Sequence, residues 1–132
     1  MKNIQTFYGL LLALFLIGCN TSTNSQPISK VIPPVEFEEK MKSEDAIILD
    51  LRTDKEVAEG VIPGAIQLDF YADDFSKKVA ELDKDKVYMV YCGSGGRSGK
   101  TAKLFSEKGF PEVYDLQGGI NAWKAAGKKL EK

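Results

Sequence analysis

The chain has 132 residues, with 18 Lys and Arg against 19 Asp and Glu, and no histidine. A formal charge of −1, without a basic run or aromatic residues interleaved with basic ones, argues against a nucleic-acid partner. Without histidine there is no Ser–His or Cys–His nucleophile pair, and most zinc sites are excluded.

The N-terminus reads as a targeting segment. Lys2 precedes a largely apolar run from Ile4 to Ile17. That run is too short to span a ~30 Å hydrocarbon core as a helix and suits the apolar region of a signal peptide. Leu16-Ile17-Gly18-Cys19 follows and resembles the lipobox of bacterial lipoproteins. That resemblance implies cleavage before Cys19, acylation of its thiol, and a membrane anchor of more than one acyl chain. Residues 1–18 are then a signal peptide. Residues 19–34, rich in Thr, Ser, Asn, Gln and Pro, are a lipidated tether. The location implied is the bacterial cell envelope, facing the periplasm or the exterior, where Cys92 is the only thiol left free.

Residues 35–132 suit one domain with one core, its first strand starting as early as Lys30. Val35 to Met41 suits a helix anchored by Val35, Phe37 and Met41. Ala46 to Leu49 is a continuous apolar run, as expected of a strand covered on both faces. A short helix over Asp54 to Ala58 ends before the breakers Gly60, Pro63 and Gly64. Ala65 to Leu68 is a strand. Phe75, Val79 and Leu82 share one helix face, with Asp73 or Asp74 as the cap. Val87 to Tyr91 is a strand, and Ser98 to Lys108 a helix stopped by Gly109 and Pro111. Glu112 to Leu116 is the last strand, and Ile120 to Ala126 the last helix. Such alternation predicts an α/β fold: a five-stranded, mainly parallel sheet with helices on both faces. Sites in such sheets lie beyond the carboxyl ends of the strands.

Cys92 stands at such an end, in the run Cys92-Gly93-Ser94-Gly95-Gly96-Arg97-Ser98. Glycines allow backbone N–H groups to turn toward one point, and the following helix aims its positive end there. Arg97 adds a planar, fixed charge. With no imidazole in the chain, activation of Cys92 falls to backbone dipoles and Arg97. Asp50 and Arg52 end another parallel strand on the same side as Cys92 and read as a charged pair tying loops together, with a substrate-facing role as the alternative. Trp123 and the tyrosines read as core or rim. A P-loop is a decoy here: its spacing demands glycine at position 94, which is Ser94, and Gly93 comes one residue too early.

Three segments in order make the chain resemble a single-domain rhodanese of the sulfurtransferase family. They are Asp50-Leu51-Arg52 with Glu56 and Gly60 to Ile66; Cys92 to Ser98; and Leu116-Gln117-Gly118-Gly119 with Trp123 and Gly127. Val61 departs from the histidine usual at its position. The resemblance implies a rhodanese-like fold and thiosulfate sulfurtransferase-type chemistry through a Cys92 persulfide. Cys92 and Arg97 would be catalytic; Gly93, Ser94, Gly95, Gly96 and Ser98 would bind the substrate. The partners implied are a small anionic sulfur donor and a thiol or cyanide-like acceptor, with a partner protein also able to fill either role. No cofactor and no metal are implied. Two alternatives remain open: a carrier that passes sulfur on without efficient turnover, and phosphatase or arsenate-reductase chemistry on the same fold. The second uses five residues between cysteine and arginine, where this chain has four.

Overall fold

The computed structural model describes residues 26–43 and 45–132. The expected signal segment, residues 1–18, and Cys19 lie outside the described residues. Among those described, five strands form one sheet: β1 (Ile28–Ile32), β2 (Ala46–Asp50), β3 (Ile66–Gln67), β4 (Val87–Tyr91) and β5 (Glu112–Leu116). Their order is β1-β5-β4-β2-β3, and each neighbouring pair is parallel. The helices are α1 (Pro34–Ser43), α2 (Asp54–Val57), α3 (Phe75–Glu81), α4 (Gly96–Glu107) and α5 (Gly119–Ala125). No helix among the described residues is long and apolar enough to cross a membrane.

Period-two alternation in the central strands builds two cores from one sheet. Tyr88, Val90 and Cys92, along and just past β4, point to one face, where they join Leu49, Phe75, Val79, Phe105, Phe110 and Val113 under α3 and α4. Met89 and Tyr91 point to the other, with Ile48, Phe37, Tyr114, Leu116, Ile120 and Trp123 under α1 and α5. Both faces of β4 are therefore dry, which is why its sequence runs apolar without alternation. Each large side chain buried this way contributes about 1.5–3 kcal/mol relative to exposure.

Local differences from the sequence expectation have physical causes. β1 begins at Ile28 and not Lys30, pairing Ile28 to Ile32 with Glu112 to Leu116. As an edge strand with most residues exposed, it leaves little apolar signature. β3 shrinks to Ile66–Gln67, because it pairs only with Leu49 and Asp50. Val35 is exposed on α1, and Phe37 alone anchors that helix in the fully buried core. Asp74 precedes α3 but makes no side-chain cap, its carboxylate lying 3.1 Å from Lys78. Val61, the position at which the chain departs from the family it resembles, exchanges backbone bonds with Glu131 at 2.8 and 2.9 Å and so clamps the C-terminal tail.

The chain leaves β2 toward β3 and leaves β4 toward β5 on the opposite side. β2 and β4 are neighbours, so their carboxyl ends open a crevice where the winding reverses. A buried ion pair braces that end. Arg52 donates to Asp50 from Nε at 2.9 Å and from Nη2 at 2.6 Å, and to the carbonyls of Glu56 and Gly60 at 3.1 and 2.7 Å. Tyr91 Oη donates to Asp50 at 2.5 Å and accepts from the Ile62 N–H. The tying role expected for Asp50 and Arg52 is therefore the one the geometry supports. Removing the cation alone strands a buried carboxylate. Arg52→Leu should lose about 3–5 kcal/mol of stability, and adding Asp50→Asn should recover part of it. Urea titration of the three variants checks this; purely additive losses would contradict the coupling.

Candidate active site

β4 carries the chain to Cys92, whose side chain is 1 % exposed. The loop turns at Gly95, where φ is +110°, a conformation that glycine adopts without strain. α4 then starts at Gly96, two residues earlier than expected. Arg97 and Ser98 therefore belong to its first turn, not to a loop. The Gly95 N–H points at Cys92 Sγ from 3.1 Å, and Ser98 Oγ lies 3.6 Å from the same atom. Burial pushes the thiol up. Hydrogen bonds from the backbone and side chain of Ser98 and from the Gly95 and Ser94 amides outweigh it, so the thiol sits below its usual range.

The loop is held from behind by α5. Ile120 N–H donates to the Cys92 carbonyl at 2.9 Å and Asn121 N–H to the Gly93 carbonyl at 3.1 Å. With the Gly93 carbonyl engaged, the Ser94 amide of the same peptide unit is left facing the sulfur. Close approach is possible only because residue 119 is glycine. A Cβ there would stand 2.5 Å from the Cys92 carbonyl oxygen, and φ is +60°.

Arg97 does not stand free in the mouth of the site. It grips Glu56 of α2 through two bonds, Nη1–Oε2 at 2.8 Å and Nη2–Oε1 at 2.7 Å. Glu56 also accepts from Thr53 N–H and Oγ1 at 3.0 and 2.9 Å, completing a capping box. The Arg97 bonds and those of Thr53 outweigh desolvation and hold the Glu56 carboxyl down at about 2; the same pairing raises Arg97. Tyr71, 68 % exposed, presents its ring 5.7 Å from the Arg97 guanidinium. Gly93 is confined, since a Cβ there would meet Arg97 Nη2 at 3.3 Å.

Of the residues expected at the site, Cys92, Ser94, Gly95 and Ser98 converge on the sulfur. Gly93 shapes the wall and Arg97 the rim. Gly96 is exposed on α4, and a Cβ added there would have nothing within 4 Å, so its lack of a side chain serves no contact. Three neighbours had no assigned part in the site. Glu56 carried a legible signal in Thr53-x-x-Glu56, the capping-box spacing. Tyr71 carried none. Asp115, on β5, was lost in an apolar strand. It is 4 % exposed, its Oδ1 has no hydrogen-bond partner, and its side chain reaches the Ser98 hydroxyl. Burial pushes this carboxyl up to about 6, with the Ser98 bond pulling the other way.

Comparison with known proteins agrees with this architecture. The family model for the rhodanese-like domain matches residues 33–126. The chain is 36% identical over 85 residues to a sulfurtransferase of Allochromatium vinosum, covering 64% of this chain and 78% of that one. It is 38% identical over 100 residues to the candidate sulfurtransferase YtwF of Bacillus subtilis, covering 75% and 94%. It is also 35% identical over 94 residues to the tRNA uridine(34) hydroxylase of Cytophaga hutchinsonii, covering 69% of this chain but only 30% of that larger protein. The crystal structure of a rhodanese-related protein from Thermoplasma volcanium superposes with a TM-score of 0.69 at 27% identity, covering 77% and 97%. A matched model over most of the chain, a parallel sheet in the order β1-β5-β4-β2-β3 and a cysteine loop at its switch point lead to one conclusion: the chain belongs to the rhodanese-like domain family.

Proposed function

We propose that the protein is a sulfurtransferase that carries sulfane sulfur on Cys92. The observation that carries this reading is a buried thiol with a lowered pKa, ringed by N–H donors and a hydroxyl in a histidine-free chain. Such a ring stabilises an anionic sulfur and offers no general acid. With thiosulfate as donor, the Cys92 thiolate attacks the outer sulfur, a new S–S bond forms, and sulfite departs with the electrons of the broken S–S bond. An acceptor such as cyanide or a thiolate then attacks the outer sulfur of the persulfide, and the Cys92 thiolate leaves. Each step exchanges one sulfur–nucleophile bond for another and needs no outside oxidant. Cys92→Ser keeps the loop shape but removes the thiolate. Transfer from thiosulfate to cyanide should drop to background with the unfolding midpoint nearly unchanged; retained transfer would falsify the mechanism.

The Glu56–Arg97 pair supports a narrower reading of the donor. A dianion approaching Cys92 meets a guanidinium whose charge is already matched by a carboxylate at 2.7–2.8 Å. Thiosulfate is accordingly a mediocre donor, with KM at or above about 1 mM. The exposed Tyr71 ring favours a bulkier or protein-borne persulfide, which also suits the carrier alternative. Glu56→Gln keeps the cap geometry and frees the cation. It should lower the thiosulfate KM about 3–10-fold, equivalent to ~1 kcal/mol of binding. An unchanged KM in steady-state assays would mean that Arg97 takes no part in holding the donor.

Export as a lipoprotein belongs to the same proposal. Lys2, the apolar run to Ile17 and the lipobox-like Leu16 to Cys19 support it. Metabolic labelling with a radioactive fatty acid should mark the wild-type chain and leave Cys19→Ala unlabelled in the soluble fraction. An unlabelled wild type would remove the anchor from this account.

A further inference from the structure

We propose that Asp115 is a positioning residue for Cys92: the proton on its carboxyl decides whether the Ser98 hydroxyl is turned toward the sulfur. The proposal rests on the reading of Cys92 as the nucleophile and adds a group that controls it.

The geometry is a short chain of groups behind the thiol. Ser98 Oγ is 3.6 Å from Cys92 Sγ and 3.3 Å from the Gly95 carbonyl, and the Asp115 side chain reaches the same hydroxyl. A serine hydroxyl has one proton to donate. Three acceptors compete for it: the thiolate, the Gly95 carbonyl and the carboxylate. When Asp115 is ionised, its carboxylate is the strongest local acceptor and draws the Ser98 proton away from the sulfur. When Asp115 is protonated, its O–H donates to Ser98 Oγ, which is left to donate to the thiolate. No proton leaves the serine in either state; only the direction of the bonds changes.

The surroundings of Asp115 make its proton available for this. β4 presents its register partner Val90, an apolar residue, and, beyond it, Cys92. β1 presents Val31 across the other edge of β5. α4 covers the carboxyl with Ser98 and with Gly99, where a Cβ would stand 3.7 Å from Oδ2. Of the charged residues on those elements, Arg97 is committed to Glu56, and Lys30, Lys100, Lys103 and Glu107 are exposed. α1 and α5 pack on the opposite face, with Tyr114 and Leu116. Among the described residues no cation pairs with Asp115, and its Oδ1 is buried without a partner. Two anions, thiolate and carboxylate, then share one hydroxyl in a dry site, so their titrations are coupled. Burial raises this carboxyl to about 6 while hydrogen bonds lower the thiol, so the two ionisations are drawn toward each other.

The test uses the full-length chain in detergent. Iodoacetamide labelling of Cys92 is followed from pH 5 to 9, with the Cys92 peptide resolved from Cys19 by mass. Wild type should give a titration shallower than a single-proton curve. Asp115→Asn mimics the protonated carboxyl, so its curve should steepen and its midpoint fall by about one pH unit, a tenfold change in thiolate equilibrium. In a Ser98→Ala background, where only the repulsion between the two anions is left, Asp115→Asn should move the midpoint by clearly less than it does with Ser98 in place. Superimposable wild-type and Asp115→Asn curves would overturn the proposal. So would an Asp115→Asn shift that persists in full without the Ser98 hydroxyl, since the effect would then be a field effect and not a relay. Asp115→Asn removes a buried charge and should fold at least as well as wild type; if it does not, Asp115→Ser, a neutral hydroxyl donor, takes its place with the same expected fall in midpoint. The assay reads the thiol directly. A chain that alkylates as expected yet transfers no sulfur would sink the sulfurtransferase reading and leave this one standing.

Discussion

Two backbone bonds, from Ile120 N–H to the Cys92 carbonyl and from Asn121 N–H to the Gly93 carbonyl, fix the conformation on which the site depends. A peptide unit presents its carbonyl and its N–H in opposite directions. Engaging the Gly93 carbonyl on α5 leaves the Ser94 amide of the same peptide unit aimed at Sγ, and together with the Gly95 and Ser98 donors it lowers the thiol against the cost of burial. The contact is possible because Gly119 has no Cβ to strike the Cys92 carbonyl. The closing segment of the domain thus shapes a loop some 25 residues earlier in the chain.

Electrostatics around the sulfur are closely balanced. The site holds one guanidinium, and a carboxylate matches it in the bidentate geometry that Arg and carboxylate favour. Glu56 is itself immobilised by the α2 cap, so the pair is built into the wall and is not a loose surface contact. What remains to hold an anionic sulfur is a set of uncharged donors. Behind them lies Asp115, a carboxyl with no cation paired to it among the described residues, whose ionisation is disfavoured by burial. A site assembled mostly from dipoles responds to the protonation of one such neighbour more than a site with several fixed charges does.

The fold supplies the rigidity this balance requires. Asp50, Arg52 and Tyr91 lock the carboxyl ends of β2 and β4, and Arg52 also anchors carbonyls at both ends of the segment from Glu56 to Gly60. Glu56 therefore sits on a short helix whose far side is pinned to the buried ion pair. The rim and the core are mechanically continuous, although their charges serve different ends.

The amino-acid sequence by itself determined the strand–helix alternation, because dry strands such as Val87 to Tyr91 and helix stops such as Gly109 are local signals. It also determined the place of the thiol: an apolar strand ending in Cys92 and a glycine-rich turn needs no tertiary contact to be read. Only the tertiary structure decided how the charges pair. Arg97 and Glu56 are 41 positions apart, and nothing in either segment says that a carboxylate grips the guanidinium. The edge strand β1 was partly hidden because its residues face water, and Asp115 because a carboxylate inside an apolar strand gives no sign of what covers it. Periodicity records which side of an element is dry. Which charged group meets which depends on chain crossovers, and these bring together residues that share no local pattern.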